Sequence, residues 1–393
     1  MLIASYSPAM RALSALSVIA ALLLPPCALL AQATGTSATT ATLPTSFTRP
    51  PDAQPIIRPV PAATFTDPIT HQLVHWEALH TFNPAAIVRN SKVIVLYRAE
   101  DNSGEMGIGL HTSRLGMAES SDGLHFTQRS EPVFYPAPDA QKSREWPGGV
   151  EDPRIVEAPD GTYVLTYTQW NRTTYSVGIA TSPDLIHWTK YGPAFGTTGK
   201  YGTLKYKSAG ILTEFSPSAT GDGRPIAARL HGKYWMYWGE GAVSLATSND
   251  LIHWTPVETS AGEPVTLLAP RAGKFDSGLP EVGPPPVLVG DTITLFYNGK
   301  NAAADNPDRK GDAKLPPGAY SVGLARFSAQ DPTHLLERSS LPIFSPELPW
   351  EKSGQYAAGT TFAEGLVHFH KQWLLYYGCA DSLVGVALGE APQ

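Results

Sequence analysis

Two cysteines, Cys27 and Cys379, are all that the 393 residues contain. So few exclude a disulfide framework and a cysteine-built metal cluster. Charge is scarce as well: 16% of the residues are charged, the formal net charge is -6 and no run of Lys or Arg occurs. Nucleic acid and anionic membrane are therefore not the expected partners, and a small or neutral ligand is. A bilayer span needs about 20 uninterrupted apolar residues, and the apolar run from Ala12 to Leu30 is broken by Pro25-Pro26. There is no zinc-ligand spacing, no Gly-x-Ser-x-Gly elbow and no P-loop, so no metal or nucleotide cofactor is expected. His187 and His253 belong to a repeated phrase in which packing is the expected role.

What the chain does have is glycine (35), proline (36) and 10% aromatic residues, a composition suited to many short strands joined by tight turns. Arg11 is the only charge before the apolar run, which closes at Ala31-Gln32-Ala33, so residues 1–33 read as an export signal cleaved near Ala33. Leu24-Pro25-Pro26-Cys27 is a poor lipoprotein box. Residues 34–60, rich in Thr, Ser, Ala and Pro, read as a flexible linker, and residues 61–393 as the folded domain.

Within that domain one phrase returns five times, an alternating strand that ends in tyrosine: Lys92-Val-Ile-Val-Leu-Tyr97, Thr162-Tyr-Val-Leu-Thr-Tyr167, Lys233-Tyr-Trp-Met-Tyr237, Thr292-Ile-Thr-Leu-Phe-Tyr297 and Gln372-Trp-Leu-Leu-Tyr-Tyr377. The tyrosines are 70, 70, 60 and 80 residues apart. A second phrase follows each: Leu115-Gly-Met-Ala118, Val177-Gly-Ile-Ala180, Val243-Ser-Leu-Ala246, Val322-Gly-Leu-Ala325 and Val384-Gly-Val-Ala387. Each unit is thus a small meander that cannot bury both faces alone, and five copies packed around an axis predict an all-β, five-bladed β-propeller. A β-sandwich also has short strands and many turns, but gives no reason for a repeat of this length.

In such a propeller the residues just past each tyrosine face one mouth. They are Arg98, Glu100 and Asp101, then Gln169 to Asn171, Glu240, then Asn298, Lys300 and Asn301, and Asp381. Segments leading into the units add Asn83, Glu151, Asp152, Arg154, Lys207, Asp276, Glu281 and Glu364, and Tyr297 joins the substrate-binding set. Trp146, Trp170, Trp238 and Tyr356 could stack on sugar rings, whereas Trp188 and Trp254 suit the core. Carboxylates and aromatic platforms around a neutral ligand suggest glycoside chemistry, with one carboxyl as acid and another activating the nucleophile. When the nucleophile is water the two groups lie roughly 6.5–9.5 Å apart. Glu151 beside Asp152 would raise its pKa and Arg154 would lower it.

Asn83-Pro-Ala with Leu96-Tyr-Arg98, Gly149-Val-Glu-Asp-Pro-Arg154, Gly283-Pro-Pro and Tyr376-Tyr-Gly-Cys-Ala-Asp381 resemble glycoside hydrolase family 130, the mannoside phosphorylases and related β-mannosidases. The resemblance covers about residues 75 to 390 and implies the five-bladed propeller again. It implies that Asp152 is the proton donor, working through a hydroxyl of the bound mannose, and that Arg98, Asp276 and Asp381 contact the sugar. The family's phosphorylases hold phosphate with basic residues at two places, which here read Tyr175-Ser-Val-Gly178 and Tyr237-Trp-Gly-Glu240 without arginine. The expectation is therefore an exported, inverting β-mannoside hydrolase with Asp152 as acid and Glu240 as base, Glu281 in reserve. A phosphorylase using Lys207 and a non-catalytic carbohydrate-binding propeller are the alternatives.

Overall fold

The structure is a computed structural model that describes residues 42–103, 106–216, 222–303, 306 and 309–390; the expected export signal lies outside them. It is all-β: among the described residues helix is limited to Lys142–Glu145 and a 3-10 turn at Pro349–Glu351. Five antiparallel units follow one another. The first comprises His80–Arg89, Lys92–Glu100, Ser113–Ser120 and Thr127–Gln128, the second Gly149–Glu157, Tyr163–Trp170, Tyr175–Ser182 and Thr189–Pro193. The third is Ala209–Ile211, Lys233–Trp238, Ser244–Ser248 and Trp254–Pro256. The fourth joins Leu279–Val282 and Val287–Val289 to Thr292–Lys300, Tyr320–Ser328 and Leu335–Arg338. The fifth has Thr361–Phe369, Gln372–Cys379 and Leu383–Glu390.

The fourth strand of the fifth unit comes from the other end of the chain. Ser46–Thr48 pairs antiparallel with Leu388–Glu390, Phe47 packs edge-on against Phe296 at 5.6 Å, and Trp373 donates its indole N–H to the Thr42 carbonyl. The expectation of a flexible linker to residue 60 is therefore corrected over residues 42–60. Leu43, Phe47 and Ile57 are buried in the core and Arg49 pairs with the buried Glu351, which fastens the segment against the fifth unit.

Alternation along each second strand explains how the units pack. Val93, Val95 and Tyr97 face a cluster shared with the fifth unit, whereas Ile94 and Leu96 face one shared with the second. The remaining clusters join the second to the third unit, the third to the fourth and the fourth to the fifth. These strands are apolar on both faces because both faces are covered.

The repeated tyrosine and glycine have one physical cause. Tyr97, Tyr167, Tyr297 and Tyr377 stand opposite Gly116, Gly178, Gly323 and Gly385 on the next strand. A Cβ on any of these glycines would lie 2.3–2.6 Å from the tyrosine Cζ. The ring lies flat on the glycine, and the hydroxyl reaches a buried carboxylate: Glu77, Glu145, Asp276 and Glu351, at 2.7–2.8 Å. Lys190 neutralises Glu145, Arg271 and Arg338 neutralise Asp276, and Arg49 neutralises Glu351. Glu77 has Gln128 instead, and burial pushes its carboxyl up to about 7. The third unit is the exception: Tyr237 faces Leu245, one residue out of register, and among the described residues its hydroxyl finds only the Pro332 carbonyl at 3.4 Å.

The Ser-x-Asp turns after the third strands are capped locally. Asp184 and Asp250 accept two backbone N–H groups each and pair with the rings of His187 and His253. Those rings are 81% and 86% exposed, which corrects the expectation that they pack. Trp254 packs in the interior, as expected, and Trp188 is half-buried against the edge of a core cluster.

Gly116→Ala and Gly385→Ala should each cost about 1–3 kcal/mol by overpacking the tyrosine, while Ser244→Ala, where a Cβ is already present, should be close to neutral. Thermal and urea unfolding of the three variants measure this.

Candidate active site

A cavity of about 300 Å³ opens where all five units contribute residues. Its acids are aimed by β-bulges. Asn83 and Asp152 are extra residues in the first strands of their units, bulged opposite Tyr97 and Tyr167, with φ of 47° and 48°. Asn and Asp tolerate this left-handed backbone better than other side chains, and the proline after each has no N–H to lose from the ladder. Glu364 occupies the matching bulge of the fifth unit, opposite Tyr376 and Tyr377.

Arg98 is the centre of one wall. Its guanidinium lies 2.7 Å from Glu100, 2.8 Å from Glu151 and 3.2 Å from Asp152, donates to Ser113 and sits 4.6 Å above the Phe82 ring. Asn83 donates to the same Asp152 oxygen at 2.8 Å. Burial works to raise the Asp152 carboxyl, but Arg98, Lys207, Arg154 and the Asn83 bond outweigh it and hold it below its ordinary value. Glu151 goes the other way: burial, reinforced by Asp152 and Glu100, pushes it up to about 7 against the pull of Arg98. Of the two, Glu151 is therefore the one that holds a proton near neutral pH.

The second charged group faces it from the third and fourth units. Lys207 lies 3.2 Å from Glu240 and 3.8 Å from Glu281, and Glu240 and Glu281 are bridged through their backbones. Ser208, at φ 57°, donates its hydroxyl to Glu281. Burial and the neighbouring Glu240 push Glu281 up to about 7 despite Lys207. Burial alone would lower Lys207, but Glu281, Glu240 and Asp152 hold it well above the usual lysine range. Asp381 is pushed up to about 6 by burial, with Asp152 and Glu100 adding to the effect against Arg98. Among the lining residues, five carboxylates, Glu151, Asp152, Glu240, Glu281 and Asp381, face two cations, Arg98 and Lys207.

Beneath the cavity Arg154 ties the floor together. It donates to the carbonyls of Asp152, Val282 and Gly283 and lies 3.0 Å from Glu364. Both residues are essentially fully buried, at 1% and 0%, so they support the site from below. Burial drives the Glu364 carboxyl well above its ordinary value despite Arg154.

Asn83, Arg98, Glu151, Asp152, Lys207, Glu240, Glu281 and Asp381 are thus brought together as expected. Asp276 and Tyr297 are not. Asp276 is the fully buried carboxylate that accepts the Tyr297 hydroxyl, held by Arg271 and Arg338, so both belong to the packing of the fourth unit. Of the expected platforms, Trp170 and Tyr356 line the cavity, while Trp238 is buried against Phe195 and Tyr206, and Trp146 is not among the lining residues. Tyr175, Tyr320 and Phe362 complete the aromatic walls. Trp170 meets Tyr175 at 6.2 Å, and Tyr320 meets both Tyr356 and Phe362 at 5.6 Å. A signal for two of them was present: Tyr-Ser-Val-Gly occurs at Tyr175 and again at Tyr320, each opening the third strand of its unit.

Because the folded state raises Asp381, its ionisation opposes folding: the contribution is favourable below the unfolded value near 3.8 and is lost as pH rises through about 6. Asp381→Asn, which the φ of 51° tolerates, should therefore leave stability unchanged at pH 4 and raise it by about 1–2 kcal/mol at pH 8. Thermal unfolding at the two pH values checks the sign.

Comparison with known proteins agrees with this geometry. The glycoside hydrolase 130 family, described as beta-1,4-mannooligosaccharide phosphorylase, matches residues 51–392. The 1,2-beta-oligomannan phosphorylase of Thermoanaerobacter sp. (strain X514) is 30% identical over 318 residues, 80% of this chain and 91% of that protein. A glycosyl hydrolase structure from Bacteroides ovatus is 48% identical with a TM-score of 0.82, covering 88% of this chain and 94% of the other. Another, 47% identical with a TM-score of 0.84 over 89% of this chain and 96% of the other, is described by the statement that the family of mannoside phosphorylases contains glycoside hydrolases that target β-1,2 mannosidic linkages in Candida mannan. The chain belongs to glycoside hydrolase family 130, enzymes that act on mannosides as phosphorylases or hydrolases.

Proposed function

We propose that the protein is an exported, inverting hydrolase of β-1,2-linked mannosides, built as a five-bladed β-propeller. The propeller reading is supported by five meanders whose apolar clusters link each unit to the next and the fifth back to the first. The export reading rests on the charged, apolar and small-residue pattern of residues 1–33. The linkage follows the relative at 47% identity.

One observation carries hydrolysis over phosphorolysis. The cation nearest the nucleophile side, Lys207, is already engaged by two carboxylates, Glu240 and Glu281. A phosphate dianion brought there would meet both at close range, whereas a water molecule would find an acceptor for its proton. In the proposed reaction Glu240 takes a proton from water as the water oxygen bonds to the anomeric carbon. The glycosidic C–O bond breaks, and the departing oxygen takes the proton carried by the Glu151/Asp152 pair, delivered from Asp152 through a hydroxyl of the mannose. Trp170 and Tyr175 on one side and Tyr320, Tyr356 and Phe362 on the other offer faces for the sugar rings.

Incubation with β-1,2-mannobiose, with and without phosphate, should give mannose in both cases; mannose 1-phosphate as main product would establish the phosphorylase instead. Asp152→Asn and Glu240→Gln should each lower turnover by about 10²–10⁴-fold while leaving the fold intact. In the pH profile, kcat/KM should fall above about pH 7 as the Glu151/Asp152 pair loses its proton, and Glu151→Gln should abolish that limb.

A further inference from the structure

Strand pairing in the first unit assembles three metal-ligating side chains that are far apart in sequence. His80 opens the first strand and Glu100 closes the second, and the two are direct register partners. His111 lies two residues before Ser113, which pairs with Glu100 from the other side. One ligand atom from each of the three falls within 4.8 Å of the other two. Glu100 and His111 are 1% and 3% exposed. The Nδ1 atoms of both imidazoles are buried without a hydrogen-bond partner, a state that buried polar atoms seldom adopt. The rings lie 5.8 Å apart at 59° and do not stack on one another.

We propose that His80, Glu100 and His111 form a binding site for one divalent transition-metal ion of the zinc class. Two imidazole nitrogens and a carboxylate oxygen are the donor set that such ions prefer, and three protein ligands leave a position for water. Calcium and magnesium, which take oxygen ligands, are not suited to it. Glu100 has capacity left: one oxygen accepts from Arg98 at 2.7 Å and the other from Gln355 at 2.9 Å, and each retains a second lone pair. The nearby guanidinium does not forbid a dication, because Glu100, Glu151, Asp152 and Asp381 all bear on Arg98 and leave a local excess of negative charge. Among the described residues, the contact to be surrendered at His111 is the long 3.4 Å approach of the Gly107 N–H to Nε2. The ion would pin the segment before Ser113 to the first strand; the three ligands lie outside the set of residues lining the cavity, while Ile108 and Gly109 of that segment belong to it.

The mature chain, dialysed against a chelator, is titrated with Zn²⁺ by calorimetry and with Co²⁺ by visible absorption. One ion per chain, a raised unfolding temperature and ligand-field bands of Co²⁺ are expected. His80→Gln and His111→Gln should each lose that uptake, while His125→Ala, which removes an exposed histidine paired with Asp122, should keep it. Uptake that persists in both glutamine variants, or a wild-type chain that takes up no metal and shows no Co²⁺ bands, would overturn the site. The second outcome decides the matter even if the variants fail to fold.

Discussion

The contact on which this molecule depends is a tyrosine ring laid on a glycine of the next strand with its hydroxyl on a buried carboxylate. Each part requires the others. The glycine is needed because a Cβ would collide with the ring. The carboxylate is needed because a phenol buried this deeply must find an acceptor. A cation is then needed beside Glu145, Asp276 and Glu351, because an isolated buried charge would cost more than the contact returns. The acids stand on the segments leading into their units, so the same contact fixes where each first strand begins.

That placement sets the geometry of the site. The bulges at Asn83, Asp152 and Glu364 occur opposite the very strand positions where the tyrosines are held. The extra residue therefore has no freedom to slide along the ladder and must project. Arg98 and Arg154 follow by chain connection, one on the strand after the tyrosine and one two residues past Asp152. Together they hold Asp152 down, while burial, with Asp152 and Glu100 beside it, pushes Glu151 up to about 7 against the pull of Arg98.

Much of this was legible in the sequence, and the failures have physical causes. The strand repeat and the lining residues from Asn83 to Asp381 could be read because each unit repeats the tyrosine-ended strand and the lining residues fall just past it or on the segment leading into it. Asp276 was misassigned because a carboxylate that caps a buried phenol and one that faces a sugar are the same letter at similar offsets; only the two arginines around it, at positions 271 and 338, separate the cases. The segment from Leu43 to Val60 looked like a linker because its strand partner lies some 340 residues away, at the other end of the chain. Local composition carries no record of such a pairing. The His80, Glu100 and His111 cluster escaped for the same reason, since ligand spacing along the chain does not reveal ligands that meet through strand register.

The third unit shows what departure from the rule achieves. It has Ser244 where four other units have glycine, its register is displaced by one residue, and its tyrosine hydroxyl bonds to a carbonyl rather than, among the described residues, a carboxylate. Relieved of that contact, the strand end continues through Gly239, at φ 124°, where a Cβ would stand 2.1 Å from the Ala242 carbonyl oxygen and only glycine fits. That turn carries Glu240 across to Glu281 of the next unit, with the Gly241 N–H bonded to the Pro280 carbonyl. The local rule is thus broken in the unit that supplies Glu240, and the broken rule is what brings a second carboxylate beside Lys207. A repeat that kept its glycine, its register and its buried acid would have held this strand end like the others, and Lys207 would have faced the cavity with Glu281 as its one acidic partner.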